Sequence, residues 1–514
     1  MKNEYLIVHK SILPDYYERV ITTRELIEHK KMSVSEACKL NDISRSTYYK
    51  YKDHLFLPSK ELGKKVLLAF VLQDQKGVLS NVLNFVAEMH GNIIAINQEM
   101  PINNSAYVTL TVDIVELDVS LDVLLDNLRK MTGVNRAELI AVEWGEKMEV
   151  AILGLGTIGI GIYELIDKSE YLKDIKVKKV LDKDKSKESI LKPGQLTDNF
   201  EEIVNDDEIK IIFEVMGAKE FSYMCIKRSL ENKKHVITAN KEVIALYLDE
   251  LTKIAKTNKV SLMYEASVGG GIFLITPLLE CVKINEVKNI VGILNGTTNY
   301  ILTKMSRENL DFSEALKLAQ QKGFAEANPT ADLEGLDIVR KITILSMIAY
   351  KGILDVEKVY HFGISNIEYC DIIFLKELGY DIKLIGSSFN NNNSIDIAVE
   401  PVAVDNYNIL SGVNEEFNGI FIEASVNDKL MYYGKGAGRY PTANALINDM
   451  IMIMENKGNN YFTSVNKLTI KEDLDKRSEY YIRFNNGNQI ITDVITRQEF
   501  LSQLDNIKFY ARII

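Results

Sequence analysis

A strand that runs straight into a glycine turn and out into a helix leaves a chain few choices of fold. Met148-Glu-Val-Ala-Ile-Leu153 is an apolar run of strand length, Gly154-Leu-Gly-Thr-Ile-Gly159 follows without a spacer, and residues 160–165 continue with helical character. In that context the G-x-G-x-x-G spacing has a physical meaning. Two glycines make the tight turn and let the backbone approach a pyrophosphate, and the third lets helix and strand pack closely. Gly154, Gly156 and Gly159, with Thr157 and Ile158 between them, are therefore candidate dinucleotide-binding residues. Apolar runs at 177–181, 210–216, 235–238 and 260–263 supply the further strands of a parallel sheet. The first of these ends at Asp182, where an acid would bond the ribose of NAD. Lys183 follows at once, with Lys185 and Lys187 nearby, and these would attract the 2′-phosphate of NADP instead. Both cofactors remain open.

Length asks for more than that one unit, because 514 residues exceed a single core and imply about three or four domains. A formal net charge of −11 argues against the whole chain coating nucleic acid, though one basic module is compatible with it. The apolar runs fall short of the ~18 residues a bilayer span needs, and residues 1–10 lack the apolar core of an export signal. Cys38, Cys225, Cys281 and Cys370 are scattered without metal-ligand spacing and read as reduced thiols. A cytoplasmic protein without membrane contact is expected.

Two small modules precede the glycine turn. Residues 1–58 form a helical domain with a helix-turn-helix pattern: Ser33 to Leu40 is one helix, opened by a Ser33/Glu36 capping box, and Ser44 to Lys52 a second. Ser44, Arg45, Ser46 and Lys50 would face a major groove, with Tyr48 and Tyr49 packing beneath. Residues 1–60 hold 11 Lys and Arg against 8 Asp and Glu, too small an excess for an electrostatic footprint, so docking or oligomerisation is preferred to DNA binding. After a linker at Pro58, residues 65–143 show strand and helix periods in the order β-α-β-β-α-β, a ferredoxin-like arrangement. Asp74-Gln-Lys-Gly-Val-Leu79, at its first strand–helix corner, is similar to the corresponding turn of ACT domains. That implies an amino-acid effector held by free N–H groups at the helix start, or equally a dimerisation domain that binds nothing.

The charged residues gather downstream. In Gly323-Phe-Ala-Glu-Ala-Asn-Pro-Thr-Ala-Asp-Leu-Glu-Gly-Leu-Asp-Ile-Val-Arg-Lys341 a loop becomes a helix, and Asp337 and Lys341 project from one face of it. An exposed pair of that kind is ordinarily a salt bridge of little value. Here the helix continues as Ile342-Thr-Ile-Leu-Ser-Met, apolar on most sides, and Glu326, Asp332 and Glu334 crowd the same segment. Charges set against an apolar helix need a polar cavity, and a substrate pocket is one. The strand at 235–238 delivers Ala239-Asn-Lys241 to the carboxyl edge of the parallel sheet, where ligands bind. Tyr264 to Ile272 contains three consecutive glycines; it could turn carbonyls around a hard monovalent cation, or act as a hinge. Thr297, Thr298 and Asn299 could cap the helix they begin, or line the pocket. The runs 395–404 and 419–425 look like strands suited to a dimer sheet.

The glycine turn, Thr238-Ala-Asn-Lys-Glu-Val243, Tyr264-Glu-Ala-Ser-Val-Gly-Gly-Gly-Ile272, Gly292-Ile-Leu-Asn-Gly-Thr-Thr-Asn-Tyr300, the Gly323–Lys341 run and Gly434-Lys-Gly-Ala-Gly-Arg-Tyr-Pro-Thr-Ala443 together resemble homoserine dehydrogenases over residues 147–455. The resemblance implies an α/β fold, with a Rossmann-type dinucleotide-binding domain at 147–281 and 434–455 and an α+β substrate and dimerisation domain at 282–433. It implies reversible hydride transfer between L-homoserine and L-aspartate 4-semialdehyde, in threonine and methionine biosynthesis, by a dimer or larger homo-oligomer using NADP or NAD. Lys341 would donate the proton to the forming alkoxide, and Lys241 would sit between nicotinamide and substrate, contact both and share the proton transfer. Asp337 would orient Lys341 and bind the hydroxyl, Glu326 would take the substrate ammonium, and Asp332 would support that contact. Cofactor contacts would include Lys183, where NADP-using members carry Arg, together with Gly323 and Gly438. A sodium ion would be held by the Glu265 side chain and the carbonyls of Val268, Gly270 and Ile272. Two departures stand out: Asn328 replaces an Asp near the amine, and Phe273 replaces a Pro after the triple-glycine loop. Residues 456–514 resemble about half an ACT unit, which suggests a sensor relocated to the N-terminal side, with threonine its natural effector. Two other classes remain: an amino-acid-responsive DNA-binding regulator, and a Rossmann oxidoreductase acting on another small amino acid. Lys241, Glu326, Asp337 and Lys341 occurring together count against the regulator.

Overall fold

The structure, a computed structural model, describes residues 148–514 except 392–393, 456–457, 459–461 and 463–465, and residues 65–143 except 99–100, 102–103, 115–116 and 120. Of the first 64 residues it describes 19–20, 23, 34–41, 43–45 and 47–48. Two compact units divide between Glu146 and Lys147.

In the first unit Val34–Leu40 is a helix, Ile43 N donates to Cys38 O at 3.0 Å, and Val20, Cys38 and Tyr48 are buried together. Ser33, Ser46, Tyr49, Lys50 and the linker at Pro58 lie outside the described residues. From Lys65 the elements follow the order β-α-β-β-α-β. The strands Asn92–Gln98, Ser105–Asp113, Lys65–Gln73 and Val134–Glu143 lie side by side in that order, every pair antiparallel. Strand alternation decides which face is covered: Val66, Leu68, Phe70 and Leu72 join Val82, Val86, Leu124 and Leu128 of the two helices in one core.

The second unit opens with a six-stranded parallel sheet, in the order Leu262–Met263, His235–Thr238, Ile209–Glu214, Met148–Leu153, Ile175–Leu181, Leu196–Thr197. Strand order reverses at Met148–Leu153, and such a reversal opens a crevice beyond the carboxyl ends of the strands. The glycine turn stands at that crevice. Gly154 is left-handed at φ 100°, and a Cβ on Gly159 would lie 2.0 Å from the Gly154 carbonyl oxygen, so the helix Thr157–Lys168 can reach its place only with hydrogen at 159. Helix Arg439–Met454 returns to pack on this helix, where a Cβ on Gly161 would be 3.1 Å from Ala443 Cβ.

A second, mixed sheet has nine strands among the described residues, with Tyr360–His361 pairing Ile395–Asp405 off its main path. Its continuous path is Asp428–Lys435, Phe417–Ala424, Val287–Ile293, Tyr380–Asn390, Ile395–Asp405, Ile507–Ile513, Tyr480–Phe484, Gln489–Ile491. Two expectations change here. The C-terminal residues are not a half-module of their own, since Ile507–Ile513 pairs in parallel with Ile395–Asp405 at Val402 and Ala403 and so extends the sheet of the 282–433 region. The Ile395–Asp405 strand, expected to serve a dimer, is buried within its own chain at every position but the last. Three arginines lock the joint: Arg512 and Arg497 on Glu400, at 2.8 and 3.0 Å, and Arg483 on Asp371 at 2.7 Å. Among the described residues no helix is long and apolar enough to cross a membrane.

Candidate active site

Helix Leu336–Ala349 is buried on nearly every side, so its polar side chains must find partners inside. It starts at Gly335, left-handed at φ 79°, where a side chain would press to 2.9 Å from Val399. One turn in, Asp337 and Lys341 form the expected pair, Lys341 Nζ to Asp337 Oδ2 at 2.8 Å. Lys341 also donates to Leu294 O at 2.8 Å. The other carboxylate oxygen, Oδ1, receives Lys241 Nζ at 2.8 Å. Thus two ammonium groups from separate helices hold opposite oxygens of one buried acid.

Each partner is placed by a local device. Lys241 opens the helix Lys241–Asn258, capped by Asn240 Oδ1 accepting from Val243 N. Behind it, the fully buried Glu214 accepts from Thr238 Oγ1, Ser222 Oγ and Met216 N at 2.7, 2.6 and 3.0 Å, tying together the ends of two adjacent parallel strands. Across the site, Asn295 caps the helix Gly296–Glu308 through its Oδ1, while its Nδ2 donates to both Asp337 Oδ2 (2.9 Å) and Asp332 Oδ1 (2.8 Å). Thr298 serves that cap, and Thr297 donates to Phe324 O. Asn295, Glu214 and their bonds were not anticipated as parts of the site. The signal was present for Asn295, an amide directly before the Gly-Thr-Thr helix start.

Charge follows from these contacts. Burial alone would push the Asp337 carboxyl up, but Lys341, Lys241 and Asn295 together hold it well below the usual carboxylate range. The Asp337 charge in turn raises the Lys241 ammonium above its ordinary value, against the effect of burial. Asp332 is pushed up, first by burial and then by the Asp337 charge. Burial likewise raises Glu214.

A cavity of about 480 Å³ joins the two halves of the site. Ile158 of the glycine turn lines it together with Lys241, Glu326, Asn328, Asp332 and Asp337. Lys341 lies behind this wall; its side chain is 11% exposed against 37% for Lys241. A Cβ on Gly156 would meet nothing within 4 Å, and the helix after it has no side-chain cap, so open space and free N–H groups await a pyrophosphate. The turn fits such a group. Gly323 and Gly438 are both left-handed, at φ 76° and 125°, and neither lines the cavity.

Asp182 has a different occupation from the one expected. Its Oδ2 accepts from the glycine-turn Leu155 N and from Lys187 Nζ, both at 2.8 Å, and its Oδ1 from Asp184 N at 2.9 Å. The acid braces the turn and is neutralised by Lys187, while Lys183 and Lys185 are exposed beside it. The sodium expectation meets an obstacle. Glu265 Oε1 accepts from Leu274 N and Ile275 N, and Oε2 from Thr276 N, at 2.6 to 2.8 Å. The start of the helix Ile275–Cys281 thus supplies the positive partial charge that a cation would have supplied. The triple glycine has a packing reason instead, since a Cβ on Gly270 would sit 2.4 Å from Gly436 O, and one on Gly271 2.5 Å from Pro441 Cβ. The Glu265 side chain, with three backbone donors of its own, does not fit the part of a sodium ligand.

Comparison with known proteins places the same stretches together. A family profile described as "Homoserine dehydrogenase" matches residues 274–451, and one described as "Homoserine dehydrogenase, NAD binding domain" matches 154–265. The homoserine dehydrogenase of Bacillus subtilis (strain 168) is 36% identical over 356 residues, 67% of this chain and 82% of its own length. The crystal structure of a homoserine dehydrogenase from Thiobacillus denitrificans superposes with a TM-score of 0.65 at 28% identity, covering 71% of this chain and 98% of that one. A hyperthermophilic archaeal homoserine dehydrogenase in complex with NADPH superposes with a TM-score of 0.51 at 25% identity, over 59% of this chain and 97% of that one.

Proposed function

This chain belongs to the homoserine dehydrogenase family, an NAD(P)-dependent oxidoreductase, and on that premise we propose that Lys241 exchanges the substrate's proton while Lys341 holds Asp337 in place. A nicotinamide dinucleotide bound at the glycine turn supplies the hydride for reduction of L-aspartate 4-semialdehyde, or accepts it from L-homoserine. The chain itself must manage one proton and the charges of a zwitterionic substrate.

As hydride reaches the aldehyde carbon an alkoxide develops, and an ammonium within hydrogen-bond reach both stabilises and neutralises it. Proton donation was expected of Lys341. Burial supports Lys241 instead, because its ammonium lines the cavity and is kept protonated by Asp337. Lys341 has two of its three N–H groups committed, to Asp337 and to Leu294 O. Its position has a purpose on this reading. When Lys241 gives up its proton, Lys341 remains on Asp337, so no buried carboxylate is left without a counter-charge. The observation that carries the proposal is this division of one carboxylate between an open lysine and a buried one.

The substrate's ammonium is assigned to Glu326, exposed on the cavity wall, supported by Asp332. Asn328 lines the same wall without a charge. The neutralised Asp182 and the exposed Lys183 and Lys185 favour NADP over NAD, in keeping with the NADPH bound by the archaeal relative. The first unit has the β-α-β-β-α-β element order of a ferredoxin-like domain, and Gly77 at its helix start is left-handed with open space around it. We assign it an amino-acid effector, threonine being the first to test. Two copies or more would assemble in the cytoplasm, whose reducing conditions suit four free thiols.

The test is nicotinamide absorbance with homoserine, run with both cofactors and with and without threonine. Lys241→Ala should lower kcat by about 10³-fold while NADPH binds as before. If Lys341→Ala is the more damaging to kcat and Lys241→Ala chiefly raises KM, the roles are reversed.

A further inference from the structure

We propose that Arg483, in the C-terminal segment, positions the substrate-binding loop through a strap formed by residues 360–368. The inference rests on the assignment of the substrate ammonium to Glu326 and Asp332, whose loop the strap supports.

The strap begins on the Ile395–Asp405 strand, where Tyr360 and His361 pair in parallel with Ala398 and Val399. Ile507–Ile513 occupies the same strand at Val402 and Ala403, so strap and C-terminal strand are neighbours along one edge. The C-terminal segment holds the strap at three levels. The Tyr360 and Tyr510 hydroxyls are 3.0 Å apart, and the Phe362 ring lies 4.6 Å from that of Tyr510, centroid to centroid. Arg483 then closes the far end. Its Nη2 donates to Asn366 O at 2.7 Å, its Nη1 to Glu368 at 2.8 Å and its Nε to Asp371 at 2.7 Å.

The strap's opposite side supports the loop. Ile364 N donates to Leu333 O at 2.8 Å, and the Ser365 hydroxyl donates to the Glu334 carboxylate. Between them, Gly363 lies so close that a Cβ would be 2.1 Å from Leu333 O and 2.5 Å from Glu334 Cα. Asp332 is the next residue back along the chain and faces the cavity. The loop backbone is therefore pinned by the strap, and the strap by a guanidinium that uses all three of its nitrogens in one plane. A lysine offers a single point charge and cannot reproduce that fork. Arg483 makes no contact with the cavity, so its effect on catalysis passes through the backbone of 363–366 and then of 333–334.

Steady-state kinetics and NADPH titration on the full chain separate positioning from mere stability. Gly363→Ala, which wedges strap from loop, should raise the KM for homoserine about 10-fold while the NADPH dissociation constant stays unchanged. Ser365→Ala should raise it less. Arg483→Met should act like Gly363→Ala, with Arg483→Lys between it and wild type. Should Arg483→Met fail to fold, Arg483→Lys carries the arginine's part of the test, and a folded Arg483→Lys with wild-type KM overturns the proposal. A folded Gly363→Ala with wild-type KM overturns the proposal, as does a KM rise matched by an equal loss of NADPH affinity. Asp332→Asn is the control for the underlying assignment. An unchanged KM in that variant means that the ammonium site is wrong, whereas a raised KM there beside an unchanged one in Gly363→Ala means that the strap is.

Discussion

Asp337 sits between one lysine of its own helix and one from a helix about a hundred residues earlier, and together they outweigh its burial in deciding its charge. A depressed carboxyl pKa contributes stability above the unfolded-state value and loses it as pH falls through the folded one. The Asp337 cluster should therefore stay intact through the mildly acid range. Asp332 behaves in the opposite sense. Its raised pKa brings protonation at a higher pH than for an ordinary aspartate, so the carboxylate that supports the substrate ammonium is lost early on acidification. The KM for homoserine should accordingly rise as pH is lowered, while the NADPH dissociation constant holds steady. Asp332→Asn should flatten that limb of the KM profile. At this scale the sequence was half legible. Asp337 and Lys341 are four apart on one helix, and helical geometry alone brings such residues together. The Lys241–Asp337 bond joins two helices with no local relation, and no spacing rule reports it. Nor does any rule foresee that Lys187 would neutralise Asp182, because the acid's second partner, Leu155 N, depends on how the turn folds.

Elements show where local pattern suffices. The geometry of the glycine turn is legible in the sequence because each of its requirements, a left-handed residue, an open approach and a close helix–strand contact, falls within six residues. Gly159→Ala should weaken NADPH binding by at least ~10-fold, measured by titration calorimetry, since its methyl would meet the Gly154 carbonyl and push the helix start away from the sheet. The helix Thr157–Lys168 begins three residues before the 160–165 run of helical character, because its first turn is set by the glycines before it. Glu265 was misread for a similar reason. Its donors, the N–H groups of Leu274, Ile275 and Thr276, lie nine to eleven residues on, at a helix start defined only once the Tyr264–Ile272 loop has turned back.

On the scale of the whole molecule, the two units make different predictions. A chain beginning at residue 147 should retain kcat within about 3-fold, since it keeps its own sheets and cores, and should lose any response to an amino-acid effector. Removal of residues 476–514 should instead abolish soluble expression, because it strips an edge from the Ile395–Asp405 strand and leaves Glu400 and Asp371 buried without their arginines. Enzyme yield and activity of the two truncations check both statements. The C-terminal joint was not legible beforehand, since a strand's periodicity shows which face it buries but not which neighbour it will take. That joint also bears on how the protein is made. The Ile395–Asp405 strand emerges from the ribosome roughly a hundred residues before the partner that covers its edge, and pairing over such a separation is slow. Until residue 513 has left the exit tunnel, an apolar strand with an open edge must wait, and it is during that wait that nascent chains would need a chaperone.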